Sequence, residues 1–419
     1  MNSTSFDYRR FLLALCACLA FGVLATVALV VMVDPYGLYQ VIERPGFNAV
    51  KPGLTRYQVQ IKQAHALRLR PRVIILGNSR AEIGFDPAAP AFADARGAVY
   101  NLAIPGTGLA TANHQLGQLL AAGIKPETVI LGVEFMDFLA LKSPSRPSAK
   151  PAGALDWQPP WQFDALFSLA SVKDALQTLR IQHDAQAATV SPDGFNPLRD
   201  YGAHVRNDGY HKMFEQRARE NAATLTRKST TSLDAADFAL LRTVLTQASG
   251  SDASVKLVIY PYHAQWLAML EAAGFWPLFE QWKAQLVREI ASIEASHPGA
   301  SIALHDFSGY GPYNCERIPA ASERSATTQW YWEAGHFKKA LGDVVLQRLL
   351  SPASVPPLGL RLDAGALAAN TQRIASERRD CLAFQPELFL TAAKMFAPRD
   401  MKHAEKTIRQ DYKNPKEKT

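Results

Sequence analysis

The chain begins with one long apolar stretch and continues as short apolar runs that alternate with amphipathic segments. Residues 11–33 contain neither a charged residue nor a proline. A bilayer core requires about 20 apolar residues in a helix, so this stretch is long enough to span one. A cleaved signal peptide has an apolar region of only about 7–15 residues and ends at a small-residue site. Because this run continues through valine and methionine to Asp34, the pattern favours an uncleaved transmembrane anchor.

The charges on either side of the anchor favour a cytoplasmic N-terminus. Arg9 and Arg10 lie in the short segment 1–10, and basic residues close to a span are retained on the cytoplasmic side. Further basic residues lie between positions 62 and 72, but long domains are translocated largely regardless of charge. We therefore expect a single-pass protein whose remaining chain lies outside the cytoplasm.

The apolar runs that follow the anchor predict the strands of an α/β domain. Each is short and rich in valine and isoleucine, as is typical of strands buried on both faces. Segments 107–122 and 275–295, between these runs, carry apolar residues at helical spacing. Alternating strands and helices predict a parallel sheet covered on both faces, and right-handed crossovers make it doubly wound. The predicted strands are 73–76, 99–104, 128–135, 255–260 and 302–307.

The same pattern divides the chain into segments. Residues 34–70 are interpreted as a juxtamembrane linker, and residues 71–352 as the α/β domain. Within that domain, residues 136–233 interrupt the alternation and open with proline-rich loop sequence. A structureless loop of this length is improbable in a compact domain, so we expect an inserted cap or subdomain. Residues 353–419 are interpreted as a C-terminal extension that ends in a basic tail.

Composition and charge exclude several classes of protein. The 48% of apolar residues is enough for a substantial core and excludes wholesale disorder. The net charge of +7 is mild and does not distinguish anionic lipid or polysaccharide from nucleic acid as a partner. The four cysteines form no CxxC pair, which argues against structural zinc. We therefore expect no metal and no cofactor.

Two of the cysteines bear on the compartment. Cys16 and Cys18 lie inside the predicted anchor, where cysteine serves as a small apolar residue. Cys315 and Cys381 lie in the remaining chain, and they could form a disulfide if that part of the protein is in an oxidising compartment.

Candidate catalytic residues follow the first two predicted strands, and ligands of open parallel sheets bind at such strand ends. The first strand is followed by Gly77-Asn78-Ser79-Arg80, which places Ser79 at a strand-to-helix junction. A serine nucleophile requires such an exposed hydroxyl beside a backbone amide, although an ordinary helix-capping serine is equally compatible. Gly106 follows the second strand and can present its amide to the same cleft.

A glutamate and a histidine near the end of the domain supply a candidate acid and base. Glu333 precedes His336 by three residues, and at this spacing a carboxylate can fix the imidazole tautomer and stabilise the imidazolium. Asp306, at the end of the fifth predicted strand, is the alternative acid. His263 follows the fourth strand and could either hold substrate or be a structural loop residue.

The order of these motifs resembles the SGNH/GDSL hydrolase superfamily, whose pattern is Ser, Gly, Asn and Asp-x-x-His. The anchor, the Asp-Pro-Tyr-Gly sequence at 34–37 and the Gly-Asn-Ser-Arg sequence at 77–80 are similar to membrane-anchored envelope members. These include alginate O-acetylation proteins and the D-alanine transfer protein of teichoic acids. The resemblance implies a flavodoxin-like sheet with Ser79 as nucleophile, His336 as base and Glu333 as orienting acid. It also implies an oxyanion hole formed by the amides of Ser79 and Gly106.

The sequence departs from the family pattern at two positions. Glu333 replaces the usual aspartate, and Glu134 stands where an asparagine donor is expected. An ionised glutamate cannot donate a hydrogen bond to an oxyanion, and loss of one such donor costs about 3 kcal/mol. Asn78, Arg80 or another group must then substitute, or the activity is slow or of a different kind; Asn78, Arg80 and His263 are the candidate substrate-binding residues.

The resemblance implies an acyl-transfer enzyme of the bacterial envelope. Ser79 would accept an acyl group such as acetyl and pass it to a hydroxyl of a cell-envelope polysaccharide or exopolysaccharide. The expected partners are a multispanning membrane acyltransferase, the polysaccharide and membrane lipid, with no nucleic acid. The expected location is the bacterial inner membrane, with the catalytic domain in the periplasm or outside. An esterase of the same fold and a non-catalytic scaffold of a polysaccharide assembly complex remain alternatives.

Overall fold

One long N-terminal helix precedes the folded domain. The computed structural model describes residues 3–95, 98–140, 160–228, 232–351 and 358–396. Helix α1 (Ser3–Val33) contains an apolar stretch, Tyr8–Val33, with a mean hydropathy of 2.7. Its side chains are exposed from Tyr8 to residue 25, and only the last turns are covered by protein. The helix is therefore long and apolar enough to cross a membrane.

A six-stranded, mostly parallel sheet forms the core of the domain, and a small antiparallel hairpin, β6 (Tyr331–Glu333) and β7 (His336–Phe337), lies apart from it. All pairings within the sheet are parallel except the last. Nearly every residue of the central strands is buried, so both faces of the sheet are covered. Across the sheet the strands are β2 (Val99–Asn101), β1 (Val73–Leu76), β3 (Thr128–Val133), β4 (Ser254–Ile259), β5 (Ser301–Asp306) and β8 (Leu360–Leu362).

The remaining helices connect these strands or follow them. Segments 107–122 and 275–295, predicted to be helical, form α4 and α10 with small differences at the ends, because apolar residues at helical spacing pack against the sheet. The helices are α2 (Gln58–Leu69), α3 (Ser79–Gly84), α4 (Leu109–Ala121), α5 (Trp161–Phe167), α6 (Leu169–Arg180), α7 (Tyr201–Lys228), α8 (Ala235–Ser249), α9 (Ala264–Ala272), α10 (Trp276–Ser296), α11 (Lys339–Leu350), α12 (Leu367–Phe384) and α13 (Pro386–Phe396).

The mixed α/β class with a mostly parallel sheet is confirmed, but the C-terminal boundary of the domain differs from the prediction. Strand β8 pairs with β5 in antiparallel orientation, and α13 packs against α9. Part of the extension 353–419 therefore belongs to the fold. Strand β8 has only three residues and no continuous apolar run, so periodicity gives no signal for it. The basic tail lies outside the described residues.

Segment 34–70 is folded rather than a free linker. Just after α1, the Asp34 carboxylate accepts the backbone amides of Leu38, Tyr39 and Gln40, which closes a compact turn. Further on, α2 places the Lys62 ammonium 2.9 Å from the Glu82 carboxylate of α3, with both groups buried. Burial lowers the pKa of Lys62, and the attraction of Glu82 opposes that shift. The segment thus fixes α1 to the domain through buried polar contacts.

The insertion predicted at 136–233 is mostly helical where it is described, with an irregular stretch at 184–200 before α7. Helices α5 and α6 pack against α1, and α7 packs against the β6–β7 hairpin. Residues 141–159, which include most of the proline-rich sequence, lie outside the described residues. The insertion therefore links the N-terminal helix at one end to the hairpin at the other.

Two glycines allow the hairpin and α11 to approach α3 closely. A Cβ atom on Gly84 of α3 would lie 2.0 Å from the ring of Phe337, and one on Gly342 of α11 would lie 1.7 Å from the Gly84 carbonyl oxygen. Neither distance is compatible with a side chain. This close packing brings the hairpin, which carries His336, against the helix that begins with Ser79.

The two cysteines that the sequence left as a possible pair form a disulfide. Cys315, in the loop after β5, is bonded to Cys381 on α12, with a Cα–Cα distance of 5.9 Å. The bond ties the C-terminal helices to the edge of the sheet. Cys16 and Cys18 of α1 are free and exposed.

Candidate active site

A serine and a histidine that are 257 residues apart in sequence are in hydrogen-bond contact. The Oγ atom of Ser79 lies 2.8 Å from Nε2 of His336. Ser79 is the first residue of α3, at the carboxyl end of β1, and Asn78 caps that helix by accepting the amide of Arg80 at 3.0 Å. The serine therefore sits where the sequence placed it, at the strand-to-helix junction.

The β6–β7 hairpin sets the orientation of the histidine. Glu333 and His336 are cross-strand partners in this hairpin, with only two residues between them. The Nδ1 atom of His336 donates a hydrogen bond to Oε1 of Glu333, because an ionised carboxylate can only accept. With its proton on Nδ1, a neutral imidazole leaves Nε2 as the acceptor for the Ser79 hydroxyl.

Glu333 is buried yet strongly favoured as an anion. Its side chain is 1% exposed, and this burial is the largest single influence on its pKa, which it raises. His336, Arg217 and the Gly335 amide, which donates to Oε2 at 2.6 Å, together outweigh burial and lower the pKa to about 2. The carboxylate thus stays charged at any physiological pH.

Arg217 is a member of this site that the sequence did not indicate. It lies on α7 within the insertion, and its Nε atom is 3.1 Å from Oε2 of Glu333, close enough for an ion pair but without hydrogen-bond alignment. The same side chain also pairs with Glu220. An arginine among many charged residues of a long amphipathic helix gives no sequence signal for such a contact, which depends on how α7 packs.

Two backbone amides are available beside the serine. The Ile104 amide donates to the Gly77 carbonyl at 3.0 Å, which continues the β1–β2 pairing and brings the loop after β2 against the loop after β1. Among the described residues, the amides of Ser79 and Gly106 have no hydrogen-bond acceptor. Gly106 has φ of +69°, a left-handed conformation that favours glycine.

The Asn78 side chain uses its oxygen in a hydrogen bond and leaves its NH₂ group available. Its Oδ1 atom accepts the Arg80 amide, so the orientation of the amide group is set by the helix cap. Among the described residues no partner of Nδ2 is found, and Asn78 lines a narrow pocket with Thr107 and Gly108. Of the two residues that the sequence offered as replacement donors, Asn78 is therefore the one with a donor to spare.

Arg80 and Glu134 neutralise each other beneath the site. The guanidinium of Arg80 forms an ion pair with Glu134, and the hydroxyl of Tyr262 donates to the same carboxylate at 3.1 Å. The Arg80 guanidinium also lies 5.2 Å from the centre of the Tyr262 ring. The Arg80 side chain is 15% exposed and bound to Glu134, so its guanidinium is already engaged, and substrate contact by Arg80 stays a prediction.

His263 is removed from the list of substrate-binding candidates. It is fully buried, its Nδ1 atom caps α9 by accepting the Gln265 amide, and Nε2 donates to the Glu316 carbonyl at 2.9 Å. Burial lowers its pKa to about 4 because the charged form is disfavoured, so the ring is neutral. Both nitrogens are occupied, and the residue is structural.

The alternative acid, Asp306, is not placed to serve His336. Its carboxylate is fully buried, lies 3.0 Å from the Lys283 ammonium and accepts the side-chain amide of Asn370 at 2.7 Å. Burial raises the pKa of Asp306, but Lys283 and its other partners outweigh this effect and lower it. The residue anchors the C-terminal helices to β5.

A second acid that the sequence did not single out lies near the site. Asp137 follows β3 and lines the same narrow pocket as Asn78 and Gly108. Burial, with a smaller contribution from Glu134, raises its pKa to about 7. Its charge therefore changes near neutral pH, and its carboxylate lies against the loop after β2, where a Cβ atom on Gly108 would be 3.0 Å from it.

A larger cleft of about 460 Å³ adjoins the loop after β2. It is bordered by Ile104 and Pro105 of that loop, by Glu82 of α3, and by residues of segments 53–60 and 188–200. Ile104 and Pro105 directly precede Gly106 in the sequence, but Ser79, Gly106 and His336 do not themselves line the cleft. Its volume is enough for a small acyl or sugar group.

Comparison with known proteins adds no assignment. No protein-family model matches the chain, and no curated protein matches it either. Among the described residues, no group of three or more histidine, cysteine or acidic side chains is arranged to hold a metal ion. The fold and the local geometry therefore carry the functional argument.

Proposed function

We propose that this protein is a membrane-anchored acyl-transfer enzyme with an SGNH-like active site. The observation that carries the proposal is the hydrogen-bonded series from Ser79 through His336 to Glu333. This is the arrangement by which serine hydrolases activate a hydroxyl. The strand order β2-β1-β3-β4-β5 is that of flavodoxin-like sheets, in which ligands bind where the order reverses, and Ser79 lies at that point.

The chemistry would proceed in two balanced half-reactions. Ser79 Oγ attacks the acyl carbonyl as its proton moves to Nε2 of His336, and the imidazolium then protonates the leaving oxygen. The product is an acyl ester on Ser79. An acceptor hydroxyl attacks that ester, gives its proton to His336, and the Ser79 oxygen recovers a proton as it leaves. Glu333 stays ionised throughout and stabilises the imidazolium.

Two features support a location at the cell envelope. The apolar helix α1 would anchor the domain, and the disulfide favours an oxidising compartment. We propose a location at the bacterial inner membrane with the domain outside the cytoplasm, a sugar hydroxyl as acceptor, and a multispanning membrane acyltransferase as acyl source.

Trapping the acyl-enzyme tests this proposal directly. The full chain in detergent micelles is mixed with p-nitrophenyl acetate, quenched in acid and digested for mass spectrometry. We expect one acetyl group on the peptide that contains Ser79, and faster release of that group when a polysaccharide fragment is added. Release of the acetyl group at the same rate with and without the fragment would indicate transfer to water, as in an esterase. Acetylation elsewhere, or equal labelling of Ser79→Ala, would contradict the proposal.

Asn78 is expected to donate to the oxyanion in place of the family's asparagine. Asn78→Ser keeps a good helix cap but removes the side-chain amide, so the fold should persist. Loss of one oxyanion donor lowers kcat by about 10²–10³-fold in well-studied enzymes, and we expect a loss toward the lower end because two backbone amides remain. The measurement is kcat for p-nitrophenyl acetate together with the melting temperature. An unchanged kcat would remove Asn78 from the oxyanion hole.

A further inference from the structure

Helices α5 and α6 carry a row of exposed apolar side chains that the proposed chemistry does not use. Phe163 and Phe167 of α5 are 51% and 39% exposed, and Leu169 and Leu176 of α6 are 90% and 50% exposed. The two phenylalanine rings lie 4.6 Å apart, so they form one apolar patch. An exposed cluster of large apolar residues marks an interaction surface.

The position of this patch relative to α1 indicates its partner. Both helices pack against α1, and from Tyr8 onward the buried residues of α1 are Val30 and Val33, near its C-terminal end. Twenty helical residues cover about 30 Å, the thickness of the hydrocarbon core, so a span that starts at Phe11 ends near Val30. The patch therefore lies beside α1 at the level where the chain leaves the bilayer.

The polar residues on the same face suit a lipid headgroup layer. Lys173 and Arg180 are exposed on α6 and follow Leu169 and Leu176 at helical spacing. Helices that lie in a membrane interface combine such basic residues with large apolar ones, because the apolar groups enter the acyl boundary while the charges meet phosphates. Trp161, at the start of α5, is typical of the same layer.

Buried contacts hold α6 rigidly at this level. Asp174 of α6 accepts the Tyr36 hydroxyl at 2.8 Å and pairs with Arg56 at 2.8 Å. Tyr36 is the third residue after α1, so the end of the anchor and α6 form one unit. Burial raises the pKa of Tyr36, and the hydrogen bond to Asp174 raises it further. The Tyr36 hydroxyl therefore stays protonated and acts as the donor.

We propose that α5 and α6 lie in the membrane–water interface beside α1 and bind the lipid headgroup layer of the bilayer. The domain would then be seated on the membrane in one orientation rather than suspended from a single helix. This inference rests on the proposed membrane anchoring and not on the proposed acyl transfer.

Fluorescence quenching of site-specific labels tests the proposal. In full-length protein with Cys16→Ser and Cys18→Ser, a single Leu176→Cys or Leu169→Cys is labelled with an environment-sensitive dye. The protein is reconstituted into phosphatidylcholine–phosphatidylglycerol vesicles that contain lipids with a nitroxide near the headgroup. Leu390→Cys on α13 is the matched control, since Leu390 is also 50% exposed. We expect several-fold stronger lipid quenching at positions 169 and 176 than at position 390.

Other outcomes of the experiment distinguish failure of this proposal from failure of the membrane anchoring. The proposal would be overturned if aqueous iodide quenched the label at position 176 as strongly as the label at position 390. It would also be overturned if neither iodide nor the lipid nitroxide quenched the label at position 176, a result that would indicate a protein partner. A variant that retains only Cys18 of the two α1 cysteines, in vesicles whose lipids carry the nitroxide on the acyl chain, reports on the anchor: quenching there without headgroup quenching at position 176 defeats this inference alone. Ser79→Ala in the same background should leave the quenching unchanged, whatever its activity.

Discussion

Ser79→Ala is expected to lower kcat/KM of the full-length protein toward p-nitrophenyl acetate by about 10⁴-fold or more. The substitution removes the hydroxyl that is hydrogen-bonded to Nε2 of His336, and loss of a nucleophile in serine hydrolases has effects of this order or larger. Steady-state hydrolysis in detergent micelles measures the effect. The melting temperature should stay close to that of the parent protein, because Asn78 rather than Ser79 caps α3.

The control for this result compares Ser79→Ala and His336→Ala with the double variant that carries both substitutions. His336→Ala should lose a similar factor, and the double variant should lose hardly more than either one, because residues that act as a unit are non-additive. Ser296→Ala, at an exposed position on α10, should retain full activity. Multiplicative losses in the double variant would mean that Ser79 and His336 do not act as a unit. Equal rates in the parent protein, the two single variants and the double variant would leave a non-catalytic scaffold as the better description.

Local signals in the sequence predicted the strands and the serine well. Residues 73–76 form β1 at the predicted boundaries, because four consecutive buried apolar residues followed by glycine leave little alternative. The spacing of Glu333 and His336 was also informative, and the structure places the two residues opposite each other across a hairpin. Such features are encoded within a few residues, so they can be read without knowing the tertiary structure.

The features that sequence reasoning missed all depend on long-range packing. Arg217 reaches Glu333 only because α7 crosses the hairpin, and Glu134 is compensated by Arg80 only because β1 and β3 are neighbours. The burial of His263 likewise follows from how α9 packs, with the rings of Phe214 and Tyr331 against it. A motif shows which groups could react, whereas the partners that set their charge come from distant segments.

The Arg80–Glu134 pair also bears on the proposed SGNH-like site, in which an asparagine rather than Glu134 would be expected. A buried, unpaired carboxylate beside an oxyanion would be strongly unfavourable, because two negative charges would meet at low dielectric. Arg80 and the Tyr262 hydroxyl satisfy that carboxylate, so Glu134 is a neutralised structural group. The backbone amides and Asn78 can then act on the substrate without its opposing charge.

Glu333→Gln is expected to lower kcat/KM by about 10³–10⁴-fold with only a small change in KM. Glutamine keeps the length of the side chain but can present its NH₂ to Nδ1 of His336, which favours the wrong tautomer and leaves the imidazolium without a counter-charge. Glu333→Asp retains the charge and should recover part of the rate, which a purely structural role would not require. Glu323→Gln is the surface control, since Glu323 forms an exposed ion pair with Arg317 in the segment between β5 and β6.

The pH dependence of stability gives a second readout for the same residue. The pKa of Glu333 is lowered from 4.5 to about 2 in the folded protein, so its ionisation stabilises the fold fully above about pH 4.5 and progressively less as the pH falls toward 2. The difference in unfolding free energy between the parent protein and Glu333→Gln should therefore be largest near neutral pH and shrink over that acidic range. Denaturant titrations at several pH values measure it. If this difference in unfolding free energy did not vary with pH, the Glu333 carboxylate would not be held as an anion by His336 and Arg217. The orienting role of Glu333 would then fail together with the kinetic prediction.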